Sequence, residues 1–85
     1  MTALESLRLL DDCLAQCGNE HDRVDLLIAE AICLSIDTNA AIVAALEAIG
    51  RNPVHVRIRL GKNAKLHPDR RPWFCDTDGR YHNQS

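Results

Sequence analysis

At 85 residues with 46% hydrophobic content, the chain suits one domain, 1–85, that folds but buries only about 60–65% of its unfolded surface. No apolar run approaches the ~20 residues that span a bilayer, and "MTALESLRLLDDC" is acidic where a signal peptide is basic and then apolar, so a cytoplasmic chain without a membrane partner is expected. The net charge of −2 hides a division: residues 1–50 carry two cations and nine anions, and residues 51–85 carry eight cations and three anions, balances of −7 and +5.

The first helix is announced by Thr2 and Glu5 at capping-box spacing and by leucines at 4, 7, 10 and 14, with Gly18 as its stop. Cys13, Cys17 and His21 would share one face of a helix that ran through all three, as zinc ligands do. Gly18 and Asn19 interrupt that row, however, and structural zinc sites draw their ligand pairs from turns and loops. We therefore expect no metal and no other cofactor. Reducing surroundings imply free thiols, with Cys33 in "IAEAICLSI" read as a small core residue.

Asn19 caps a second helix with Glu20 and Asp22 at its positive end and Val24, Leu27, Ile28, Ala31 and Ile32 on its buried stripe; it runs to about Leu34. Asp37 or Thr38 then caps a third helix, with Ile42, Leu46 and Ile49 inward and Gly50 closing it. Residues 53–60 support two readings. Val54, Val56, Ile58 and Leu60 alternate with His55, Arg57 and Arg59 as in a half-buried strand, whereas Asn52, Pro53 and Gly61 punctuate a helix. In "PWFCDTDGRYHN", Asp78-Gly79 suits a two-residue type I′ turn between short strands, so a β-hairpin is expected, with Trp73, Phe74 and Tyr81 capping the core. The fold class is mainly α (α+β), a three- to four-helix bundle with a C-terminal hairpin.

"LEAIGRNPVHVRIRL", residues 46–60, resembles the central part of a bacterial or phage helix-turn-helix: apolar residues before a glycine, a short turn, and a second helix with Val56 and Leu60 inward. The resemblance extends over residues 38–82, with the hairpin similar to the wing of a winged-helix protein. It departs from the pattern at Arg51, where such turns bury an aliphatic residue. The resemblance implies that the second helix offers Asn52, His55, Arg57 and Arg59 to the major groove or its phosphates. In a second register, residues 22–34 and 38–49 are the paired helices and 54–60 begins a winged-helix sheet; backbone contacts then fall to Arg57, Arg59, Lys62, Lys65, Arg70 and Arg71. With Arg51 and Arg80 these residues make up the basic surface in either register.

The expectation is therefore a DNA-binding protein, a small transcriptional or phage-type regulator that contacts duplex DNA through its basic C-terminal half. The alternative is a protein-interaction module or inhibitor working through the acidic helical half, and the charge division also fits two halves that attract one another. Catalysis is not expected, because the chain lacks a P-loop, a G-x-G-x-x-G, an H-E-x-x-H and a G-x-S-x-G, and its histidines are scattered; His55, His67 and His82 read as surface residues or phosphate neighbours. A small attainable core, with Leu9, Leu26 and Leu34 off the main stripes, suggests a homodimer or another partner chain.

Overall fold

Side chains that bond backbone groups within three residues set the starts of all the helices. The computed structural model describes residues 2–16 and 19–84 and contains α1 (Ala3–Leu14), α2 (Glu20–Cys33), α3 (Asn39–Ala48), α4 (Pro53–Ala64), β1 (Trp73–Cys75) and β2 (Tyr81–Asn83). This is the mainly helical α+β architecture expected from the sequence. Thr2 Oγ1 accepts from the Glu5 N–H at 3.1 Å and donates to the Glu5 carboxylate at 3.2 Å, which completes the capping interaction. Asn19 and Thr38 cap α2 and α3 in the same way, accepting from Asp22 and Ala41. α1 ends at Leu14, before Gly18, and both Gly18 and Cys17 lie outside the described residues.

Residues 53–60 are helical, so the register in which 54–60 opens a sheet is not the one the chain adopts. The Asn52 carboxamide accepts from Val54 N at 2.9 Å and His55 N at 3.4 Å, Pro53 occupies the first turn, and the helix continues through Gly61 to Ala64 instead of closing at Gly61. A strand would have placed Val54, Val56, Ile58 and Leu60 on one face. The helix buries Val56 and Leu60 and leaves Val54 and Ile58 outside. The cap satisfies backbone donors without a neighbouring strand, and the packing of Val56 and Leu60 into the shared core favours the helix over the alternation.

One hydrophobic cluster joins both halves of the chain: Leu7 of α1, the Val24–Ala31 stripe of α2, Ile42 and Leu46 of α3, Val56 and Leu60 of α4, and Trp73 and Tyr81 of the hairpin. Trp73 is fully buried and its indole N–H donates to the Leu60 carbonyl at 3.0 Å, fastening β1 to α4. Phe74 is only half-buried, stacked on His82 with the Arg71 guanidinium over its ring.

β1 and β2 pair antiparallel with Cys75 opposite Tyr81, and the Asp76 N–H donates to the Arg80 carbonyl at 2.8 Å. The connecting loop is therefore Thr77–Asp78–Gly79. Of these, only Gly79 has a positive φ, at 81°. A two-residue type I′ turn would need positive φ at both central residues, so the hairpin instead uses the three-residue loop with glycine in the left-handed position. Residues 37 and 38 lie along the other side of β2: Thr38 bridges Arg80, and the Tyr81 N–H donates to the Asp37 carbonyl at 2.6 Å. Among the described residues no helix is long and apolar enough to cross a membrane.

Candidate nucleic-acid interface

The basic residues of the second half divide into those that meet acids of the first half and those that do not. Arg59 clasps Asp25 with two hydrogen bonds, Nε to Oδ1 at 2.9 Å and Nη2 to Oδ2 at 2.5 Å, and the buried Asn63 carboxamide donates to the same Oδ1 at 3.0 Å. This pairing holds the Arg59 guanidinium protonated even more firmly than usual. Arg51 bonds Glu20 at 2.8 Å and lies 3.7 Å from the buried Asp11, which Arg23 also holds at 2.7 Å. The arginine at the departure from the helix-turn-helix pattern thus stays mostly covered by spending its charge on two carboxylates. Arg80 pairs with Asp37 at 2.9 Å. To meet a phosphate, each of these three arginines must give up its partner.

Asn52 and His55 are also engaged, Asn52 in capping α4 and His55 Nε2 at 2.8 Å from Nδ1 of His21 on α2. Arg71 donates to the Gln84 side chain at 2.6 Å. The remaining expected site residues are exposed. Among the described residues, Arg57, Lys62, Lys65 and Arg70 have no side-chain hydrogen bond, ion pair or ring contact. Three lie on α4 and the turn that ends it, and the fourth on the loop leading to the hairpin.

The sequence reading missed the apolar ridge between these cations. At 3.6 residues per turn, Val54, Ile58 and Lys65 fall within about 40° of each other, opposite Val56 and Leu60, with Arg57 and Lys62 to either side. Val54 is 58% exposed and Ile58 56%. Their alternation with charged residues suggested burial in a strand; a helical reading with Val56 and Leu60 inward would have shown them outside.

Cys33, expected in the core, is exposed, and its sulfur receives the Asn83 amide at 3.1 Å. It falls at the end of α2, beyond the buried turns. Cys13 and Cys75 also lie at the surface. A depression of about 430 Å³ between α1 and the end of α3 is lined by Arg8, Asp11, Asp12, Ala48, Ile49 and Gly50.

Two expected results follow from these pairings. Asp25→Ala leaves Arg59 and the buried Asn63 amide unmatched, and should cost about 1–3 kcal/mol in denaturant unfolding, less than a fully buried pair because both charges keep some water. Asp76 organises the hairpin loop, accepting from the Asp78 and Arg80 N–H groups and from His82 Nε2 at 2.6 Å, and these bonds, led by that from His82, hold its carboxyl below the ordinary range. A depressed carboxyl contributes stability that is complete above the ordinary carboxylate pKa and is lost as pH falls through the folded value. The melting-point difference between the wild type and Asp76→Ala, followed by Trp73 fluorescence, should therefore be largest near neutrality and shrink in acid.

Comparison of the chain with family models, with curated proteins and with solved structures gives no match, so the interface is read from its own residues.

Proposed function

We propose that the protein binds double-stranded DNA through α4 and the loop after it, as a small transcriptional or phage-type regulator. The observation that carries this reading is the group of unpaired cations Arg57, Lys62, Lys65 and Arg70, which persists after the other basic residues have been matched internally. The order of elements supports it: α3 and α4 are separated by residues 49–52, and a hairpin follows, as in a helix-turn-helix with a wing. Arg57 reaches a base or a phosphate, and Val54 and Ile58 suit the apolar contacts that thymine methyl groups offer in a major groove. Binding to a mixed-sequence duplex should be measurable at about 50 mM salt and fall steeply as salt rises; no binding there would remove the proposal.

A second reading rests on the exposed Val54–Ile58 ridge, which with its cationic border also suits an acidic, apolar protein partner. Failure to bind DNA or heparin at low salt would favour it.

The protein is further proposed to be a homodimer. Leu9 on α1 is 53% exposed and Leu26 on α2 is 51%, whereas Leu34 packs against the core. A two-fold interface that covered both leucines would bury four apolar side chains. Sedimentation should show a dimer that Leu9→Ser with Leu26→Ser converts to a monomer; a wild-type monomer at high micromolar concentration would exclude it.

A further inference from the structure

Among the described residues, the His21–His55 contact is the one place where the ring nitrogens of two histidines face each other across separate helices. Nδ1 of His21 and Nε2 of His55 are 2.8 Å apart, with the rings at 63° and their centroids 4.9 Å apart. Only one proton fits between them, so at least one ring is neutral in this arrangement. We propose that these two nitrogens form a site for a divalent late-transition-metal ion such as nickel(II), which would bridge α2 and the first turn of α4.

With metal–nitrogen bonds of about 2.0–2.1 Å, nitrogens at this separation subtend roughly 85° at the ion, close to the right angle between neighbouring ligands of a square-planar or octahedral centre. A tetrahedral ion would need them about 0.5 Å farther apart. Where both rings start neutral, binding moves the shared proton to the far nitrogen of its own ring; where the donor ring starts as an imidazolium, that proton leaves to solvent. The helices are already held by the Asp25–Arg59–Asn63 clasp and by Val24 and Val56 in the core, so binding asks only for a turn of the two rings, which now point their nitrogens at each other and must aim them at a common ion. His21 is exposed, which leaves the ion an approach and positions for water. Glu20, Asp22 and Asp25 on α2 favour a dication, and Arg51 and Arg59, which pack onto the same helix, are each paired with one of those acids. Among the described residues no group of three or more protein ligands occurs, so water completes the coordination and the ion exchanges readily. Such an ion tightens a fold that already stands.

The test is thermal unfolding with nickel chloride, against magnesium chloride as control. At free nickel about ten times its dissociation constant, the melting temperature should rise by roughly 5–10 °C, and the rise should vanish in His21→Gln and in His55→Gln. No rise at millimolar nickel, or a rise that survives both substitutions, overturns the proposal; survival would place the ion elsewhere on the protein. Should either variant fail to fold, proton spectra of the wild type decide: nickel should broaden the His21 and His55 ring signals before those of His67 and His82, and equal broadening of all four overturns the site. DNA plays no part in this experiment, so its outcome is separate from the DNA-binding proposal.

Discussion

Replacing Arg57, Lys62, Lys65 and Arg70 together with alanine is expected to abolish measurable DNA binding at physiological salt while leaving the melting temperature within a few degrees of the wild type. Each cation set against a phosphate releases about 0.9 counterion, so four of them account for a log–log salt slope of roughly −3.6, or about 150-fold in affinity between 50 and 200 mM salt. The variant should lose that part of the slope on specific and random duplexes alike. Stability should hold because none of the four side chains has a partner to lose among the described residues. Arg57→Ala alone tests a different property. If its guanidinium pairs with a guanine, the loss is about 1–3 kcal/mol on the specific site and discrimination relaxes there; if it meets a phosphate, the loss is shared by all sequences. A quadruple variant that binds with the wild-type salt slope would show that the free cations are not the interface. By contrast, Arg59→Ala should act mainly on stability, because Arg59 is committed to Asp25.

The largest effect on the fold is expected at Trp73. It is the largest fully buried side chain, and it supplies both packing and the indole hydrogen bond by which β1 holds α4. Trp73→Ala should cost about 3–5 kcal/mol, a large share of the roughly 4–13 kcal/mol that a domain of this size commands. The expected fall in melting temperature is about 15–30 °C. Trp73→Phe keeps most of the apolar contact and loses the N–H donor, and should cost about 1–2 kcal/mol. Calorimetry of the pair separates packing from hydrogen bonding. A small change for Trp73→Ala would mean that the hairpin is an appendage and that the four helices suffice without it. Because Arg70 and Arg71 lie just before Trp73, a loosened hairpin should also loosen the loop that carries two of the expected DNA contacts.

The helix starts were legible in the sequence because each depends on a bond that spans two or three residues: Thr2 with Glu5, Asn19 with Asp22, Thr38 with Ala41, and Asn52 with Val54. The buried stripe of α2 was legible for a similar reason, since helical period alone places Val24, Leu27, Ile28 and Ala31 on one side. Residues 53–60 were ambiguous because alternation and capping are both local signals, and only the packing of Val56 and Leu60 into the shared core separates them. The hairpin was legible, but its loop length was not: Asp78-Gly79 is compatible with two loop geometries, and the bonds that Asp76 makes to Asp78, Arg80 and His82 go with the longer one.

The charges divide in the same way. That the second half is basic is a matter of counting residues, but which of its cations remain free depends on partners far away along the chain. Asp25 and Arg59 are 34 residues apart, Glu20 and Arg51 are 31 apart, and Asp37 and Arg80 are 43 apart. No periodicity or composition specifies those pairings, because they arise only when α2 packs on α4 and residues 37–38 lie along β2. The sequence by itself determined the helix caps, the buried stripe of α2, the presence of the hairpin and the existence of a basic surface. The tertiary structure alone decided that Arg51, Arg59 and Arg80 are paired inside the fold and that Arg57, Lys62, Lys65 and Arg70 have no side-chain partner among the described residues, since a charge finds its partner through space and a cap finds its own along the chain.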